Sequence, residues 1–216
     1  GGLVVHMSSG FSALVAAIYM GPRDGFRKVP MPPHSLPLTV IGAALLWVGW
    51  FGFNAGSALA ADGTAGLAFL NTSTATSAAV LGWMVIEWIH RAKPTVLGAA
   101  TAAVAGLVAI TPGCAFVTPL GSIAVGIGSA VFCYAAVTLL KPALGYDDSL
   151  DVFGVHGVGG TWGALATGIF VAGFALPEGV SWGGQIWIQI KSIVFTAVFA
   201  PAATVVILLL LRAIFG

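Results

Sequence analysis

Residues 37–60 read PLTVIGAALLWVGWFGFNAGSALA and contain no charged side chain. The hydrocarbon core of a bilayer takes about 20 apolar residues as a helix, so this run is long enough to cross. Its apolar residues are continuous. The strands of a membrane barrel instead alternate in polarity over about ten residues. Working outward, six more apolar runs cover roughly 2–20, 65–89, 95–111, 119–140, 152–173 and 184–212. The breaks between them carry turn residues: Gly21-Pro22, Pro30 to Pro37, Asp62-Gly63, Pro94, Pro112-Gly113 with Pro119, Pro142 and Pro177. The fourth run is short, and the seventh is long enough to tilt. The pattern predicts an all-α, polytopic membrane bundle of about seven transmembrane helices.

Composition agrees. Of 216 residues, 58% are hydrophobic and only 7% are charged, against about 25% charged in soluble domains. Mean hydropathy is +1.02. A water-soluble fold could not cover so much apolar surface, and a disordered chain would leave it all unburied. Net charge is +1, and the longest basic run is Arg27-Lys28, so nucleic-acid binding has no electrostatic footprint. Cys114 falls in a loop and Cys133 within an apolar run. No metal or redox spacing joins them, and they read as unpaired thiols. Nothing in the sequence asks for a cofactor.

Charge orders the spans. With seven alternating helices, the loops at 21–36, 90–94 and 141–151 share one side with the C-terminus. That side holds Arg23, Arg27, Lys28, Arg91, Lys93, Lys141 and Arg212, whereas the opposite loops hold no Lys or Arg. The positive-inside rule then makes the C-terminus cytoplasmic and puts Gly1 outside. Lys191, inside the last run, is expected to snorkel toward the outer surface. The first run lacks a basic n-region and precedes six more spans, so it does not read as a signal peptide. The chain opens mid-phrase on Gly1-Gly2 and stops at Gly216, directly after an apolar run, which reads as a fragment cut at both ends.

Polar residues stand out where polarity is costly. His6 lies in GGLVVHMSSG (1–10) and His156 in DVFGVHGVGG (151–160). Ionisable residues inside spans tend to face an interior path, a partner or a cofactor. Small residues surround both, which lets helix backbones approach closely. The two phrases share Val-His with nearby glycines. They belong to the first and sixth spans, whose helices run in opposite directions, as inverted repeats do when they meet near the midplane. The plain alternative is a structural histidine bonded to a neighbouring helix. His156 lies about 7.5 Å along the helix from Asp151, so it reaches mid-membrane only if that helix starts inside a cytoplasmic vestibule.

In the second span, Leu46, Trp50, Phe53 and Ser57 fall at i, i+4, i+7 and i+11, one helical face. Aromatic faces attract cations, and Ser57 can accept a hydrogen bond from a cationic donor, although such a stripe also serves plain packing. Asn54, also intramembrane, argues that part of this face is functional. Asp147, Asp148 and Asp151 stand at the mouth of the sixth span, with Asp151 placed to cap its helix. Glu87 and Arg91 have the spacing of an i,i+4 pair. The Arg23 to Lys28 run needs no role beyond topology.

GGLVVH, GWFGFNAGSA (49–58), LAFLNTSTATSAA (67–79), ITPGC (110–114) and DVFGVHGVGG together resemble the ammonium transporter family (Amt/Mep/Rh), in its bacterial Amt branch. The likeness covers the whole chain. It implies an eleven-span fold of two inverted repeats in the cell (inner) membrane, a homotrimer with one pore per subunit. Residues 1–216 correspond to spans five to eleven, without the first four spans or the cytoplasmic tail that meets a PII signalling protein. By resemblance, His6 and His156 match the twin histidines of the pore and Phe53 one of two stacked phenylalanines of the periplasmic gate. Ser57 matches the serine that recruits ammonium, Trp50 the tryptophan beside the histidines, and Leu46 and Val152 the apolar lining. Asp148 precedes His156 by eight residues. The family has an aspartate equally far before its first histidine, a position ahead of Gly1. The other gate phenylalanine and the recruitment tryptophan belong to the half not represented.

The implied function is a conduit rather than an enzyme: ammonium recruited outside, deprotonated, and passed as ammonia through an apolar pore in the lipid bilayer. An ammonium sensor of the same fold and an inactive fragment are the alternatives. A haem-ligating electron carrier has only the two histidines in its favour.

Overall fold

The computed structural model describes residues 2–216. It contains seven helical rods in the order read from the sequence. Helix α1 spans Gly2–Met20, α2 Leu36–Asn54, α3 Gly63–Arg91, α4 Val96–Ile110, and α5 Pro119–Leu144. Helix α6 is a π-helical turn, Phe153–Val158, continued by Gly159–Phe170, and α7 is Trp182–Phe215. Five of the seven are long and apolar enough to cross a membrane on length and composition. The exceptions are α4, at 15 residues, and α6. Gly1, expected on the outside, lies beyond the described residues.

The helix starts follow local chemistry. Ser35, Asp62, Thr95, Thr118 and Ser181 each accept a backbone N–H three residues on, in the N-cap manner. Pro119 occupies the first helical turn of α5, where its missing N–H costs nothing.

Helix α4, at 15 residues, is buried over much of its length. Ala102, Ala103 and every residue from Ala105 to Ile110 are buried. They pack between Trp83 of α3, Ala130 and Cys133 of α5, and Val155 of α6. Small residues permit this close packing. A Cβ on Gly163 would lie 2.2 Å from the Ala109 carbonyl oxygen, and one on Gly126 2.2 Å from that of Ala75. Helices α2 and α7 instead turn Val48, Val206 and Leu210 outward, as lipid-facing surfaces do. At about 1.5 Å per residue the 34-residue α7, with Pro201 inside it, is roughly 50 Å long, beyond the hydrocarbon thickness and enough to span with tilt or a kink. The Thr204 hydroxyl of α7 donates to the Ala200 carbonyl at 2.8 Å, so the Ser12 hydroxyl of α1 donates to Thr204 at 2.8 Å. Lys191 is exposed on α7 and makes no ion pair among the described residues.

The loops at the basic end are tied to one another. Arg23 donates to Asp147 through its backbone N–H, Nε and Nη2 at 2.7–2.8 Å. The Arg27 guanidinium donates to the Pro142 carbonyl. The Arg23 to Lys28 run therefore does more than set topology: it fastens the α1–α2 loop to the α5–α6 loop. The i,i+4 reading of Glu87 is also corrected. Its buried carboxylate turns away from Arg91 and accepts the Thr95 N–H at 2.7 Å and the Thr95 hydroxyl at 3.0 Å. A carboxylate buried beside a tight turn gains more from two fixed donors than from one solvated guanidinium.

Candidate functional site

Two π-helical turns, Gly2–Met7 and Phe153–Val158, carry His6 and His156. A π turn takes one more residue per hydrogen-bonded ring than an α turn, and such turns recur at functional sites. Helices α1 and α6 cross with their backbones in contact. A Cβ on Gly10 would fall 2.0 Å from the Gly157 nitrogen, and one on Gly160 3.1 Å from the His6 Cβ. The crossing brings the two imidazoles together, with Nδ1 to Nδ1 at 3.1 Å. One hydrogen fits between two ring nitrogens at that distance, so one Nδ1 donates and the other accepts.

Aromatic rings enclose His6. The Trp50 indole stacks on it with centroids 5.3 Å apart and planes inclined by 14°. Phe53 stands 6.0 Å away at 54° and Trp50 meets Phe53 edge-on at 5.6 Å. The Trp50 indole N–H donates to the Thr111 hydroxyl at 2.8 Å. Val5, His6, Leu46, Trp50 and Phe53 line a groove of about 570 Å³ whose walls are mostly apolar. The His6 Nε2 is buried without a hydrogen-bond partner.

The structure gathers some of the expected residues and separates others. Leu46, Trp50 and Phe53 share the groove with His6. Ser57 lies beyond the end of α2, in the 3₁₀ turn Gly56–Ala58. It is exposed, and its hydroxyl donates to the Phe53 carbonyl at 2.6 Å. That bond spends its hydrogen and leaves the oxygen free to accept. Val152 is half-buried at the start of α6, apart from the groove. Asn54 does not line the groove: its Nδ2 donates to the Thr72 hydroxyl at 3.0 Å in the interior.

Asp148, not Asp151, caps the helix that carries His156. Its carboxylate accepts the N–H groups of Val152 at 3.0 Å and Phe153 at 2.7 Å. Asp151 accepts a helical N–H only through its backbone carbonyl, from Val155 at 2.8 Å. Its carboxylate pairs with Lys141 at 2.7 Å. A carboxylate buried at a helix start gains from two amides and the dipole together, and that leaves Asp151 to the nearest cation. Asp148 is 5% exposed, so the cap at the start of α6 is itself buried. Arg23, by its hydrogen bonds, holds the Asp147 carboxyl below the usual carboxylate range. Burial pushes Asp151 above it, against the pull of Lys141. The Tyr146 hydroxyl is pushed up to about 12 by burial, with Asp148 and Asp151 adding to the shift.

Sequence reading overlooked Thr111 and Asn71, and gave Glu87 the wrong partner. Asn71 is fully buried and donates to the carbonyls of Cys114 and Val117, both at 2.8 Å. An amide side chain directly after the apolar stretch Leu67–Leu70 was the available signal for Asn71. Both cysteines are free and buried. No group of three or more His, Cys, Asp or Glu able to hold a metal ion occurs among the described residues.

Fold and site define a multi-pass helical membrane protein with paired histidines against an aromatic wall. Comparison with known proteins narrows the class. Residues 1–216 match the model of the Ammonium Transporter Family. The chain is 51% identical over 214 residues to the ammonium transporter of Bacillus subtilis (strain 168), covering 96% of this chain and 52% of that protein. It is 44% identical over 219 residues to ammonium transporter Amt1 of Archaeoglobus fulgidus, covering 99% and 54%. The crystal structure of Saccharomyces cerevisiae Mep2 superposes with a TM-score of 0.90 at 35% identity, over 99% of this chain and 51% of that one. A structure described as a sensor Amt protein gives 0.92 at 32% identity, over 100% and 55%. The chain belongs to the ammonium transporter family. It spans about half the length of the relatives it matches.

Proposed function

We propose that these residues build one side of a conduit that carries ammonium nitrogen across a membrane as ammonia. The observation that carries the proposal is the 3.1 Å contact between His6 and His156 beside an apolar groove. An isolated cation in such surroundings costs many kcal/mol, so the favourable course is loss of the charge before passage. Ser57 has a free acceptor at the end of the Phe53 face. It can take an N–H from ammonium, a donor that hydrated sodium and potassium lack. Ammonium gives up its proton to water at that mouth, and neutral ammonia moves past Phe53 toward the histidines.

The pair suits a neutral traveller. Sharing one hydrogen between the Nδ1 atoms forces opposite tautomers on two neutral rings. One Nε2 then carries a hydrogen and the other a lone pair. Ammonia both donates and accepts, so it finds a partner of each kind. Passage ends at the Asp148 mouth of α6. The positive-inside distribution of Arg and Lys makes that end cytoplasmic in the cell membrane. Family resemblance adds a homotrimer, with residues 1–216 as part of its membrane domain.

The test uses the full-length protein in liposomes with an inward ammonium gradient. His156→Ala is expected to abolish uptake or to admit potassium. Unchanged uptake together with unchanged exclusion of potassium would sink the proposal. A sensory role is the second reading, favoured by the likeness to the sensor Amt protein. It is supported if ammonium binds to the full-length protein with no flux.

A further inference from the structure

The turn ITPGC, residues 110–114, has no part in the conduit described so far. It closes α4 at the end away from the basic loops. Thr111 is buried there. Its hydroxyl donates to the Leu107 carbonyl at 2.7 Å and accepts the Trp50 indole N–H at 2.8 Å. A hydroxyl carries one hydrogen. The Leu107 bond uses it, so the oxygen that faces Trp50 is held as a fixed acceptor.

The turn itself is well anchored. Asn71 grips the carbonyls of Cys114 and Val117, and the Ala172 N–H donates to the Phe116 carbonyl at 2.8 Å. Pro112 packs on the start of α1, where a Cβ on Gly2 would lie 2.6 Å from the proline Cγ. The same turn therefore reaches the His6 helix by two routes, one direct and one through Trp50. It braces the backbone at Gly2 and reaches the His6 ring through Trp50, which stacks on it at 14°.

We infer that Thr111 is a positioning residue for the histidine pair. It locks the Trp50 indole, whose face sets the plane of His6 and so aims Nδ1 at His156. The consequence for transport rests on the conduit reading above; the hold on the rings does not. Without the hydroxyl, the indole can rotate about its own side-chain bonds and the imidazole loses its flat support. Histidine then samples planes in which Nδ1 no longer points at its partner.

The experiment compares Thr111→Val, which keeps the shape and removes the hydroxyl, with Thr111→Ser, which keeps the hydroxyl. Both are made in the full-length protein in liposomes. The readouts are the ¹⁵N resonances of the Trp50 indole and the His6 ring, and initial ammonium uptake. Thr111→Val is expected to move both resonances and to lower uptake about tenfold, the scale of a slightly misplaced group. Thr111→Ser is expected to restore all three. A Trp50 resonance that stays put overturns the hydrogen bond. A Trp50 shift without a His6 shift overturns the positioning role, as does failure of Thr111→Ser to restore the His6 signal. If the unmodified protein takes up no ammonium, the transporter reading falls. The paired resonance shifts and their rescue by serine still decide the role of Thr111.

Discussion

His6 and His156 meet at one contact but are held from opposite directions. His6 is fixed by its ring, stacked on Trp50 and flanked by Phe53. His156 is fixed through its backbone, by the Asp148 carboxylate at the helix start and by the glycine crossing at Gly157. Both helices make the same π-helical turn around the histidine. Two related phrases thus share local geometry and differ in support. Pairing two rings needs only one of each kind of hold, since a ring clamped by stacking can be met by a ring whose backbone cannot shift.

Breaking the crossing should have the largest effect. Gly10→Ala puts a methyl 2.0 Å from the Gly157 nitrogen. Backbone cannot yield as a flexible side chain does, so the helices must separate, at a cost of about 3 kcal/mol or more. Thermal unfolding of the full-length protein in detergent should show a large drop in midpoint. A midpoint within error of the parent would contradict the close approach.

Removing the support peculiar to His156 should cost less. Asp148→Ala leaves the Val152 and Phe153 amides without their acceptor, about 1–2 kcal/mol as for other lost caps. Amide exchange should quicken at residues 152–155 while the Trp50 indole stays protected. Equal quickening around Trp50 would show that the two supports are not independent.

The smallest effect belongs to the loop tie far from the rings. Asp147 sits below the ordinary carboxylate range in the folded protein because Arg23 favours its charged form. The stability it adds is present above the unfolded carboxylate value and is lost as pH falls through its lowered folded value. Asp147→Asn should therefore lower the midpoint slightly at neutral pH and not at strongly acidic pH. A difference that persists unchanged in acid would rule out the ion pair as its source.

Much of this architecture could be read from residue order. The run 37–60 became Leu36–Ala58, and 95–111 became Val96–Ile110, because proline, glycine and capping hydroxyls mark helix ends sharply. His6 and His156 stood out in the sequence because a polar ring inside an apolar run is conspicuous. The π turns were not. An i→i+5 turn differs from an i→i+4 turn by one residue and leaves no trace in composition. The choice between Asp148 and Asp151 was equally hidden, since both stand within reach of the helix start. Only the position of Lys141 decides which carboxylate is drawn away. Glu87 misled because helical spacing to Arg91 says nothing of a chain that turns back at Pro94 and brings Thr95 to the carboxylate. Thr111 gave no signal, because a hydroxyl at a helix end is ordinary and its partner, Trp50, is 61 residues away.

The most direct measurement is ¹⁵N NMR of histidine in the full-length protein near neutral pH, with His6 and His156 assigned by substitution. The expected result is two neutral rings of opposite tautomer, one Nδ1 protonated and one not, coupled through a shared hydrogen. Two rings both protonated at Nε2, or a doubly protonated ring at either position, would contradict a neutral pair built to meet ammonia.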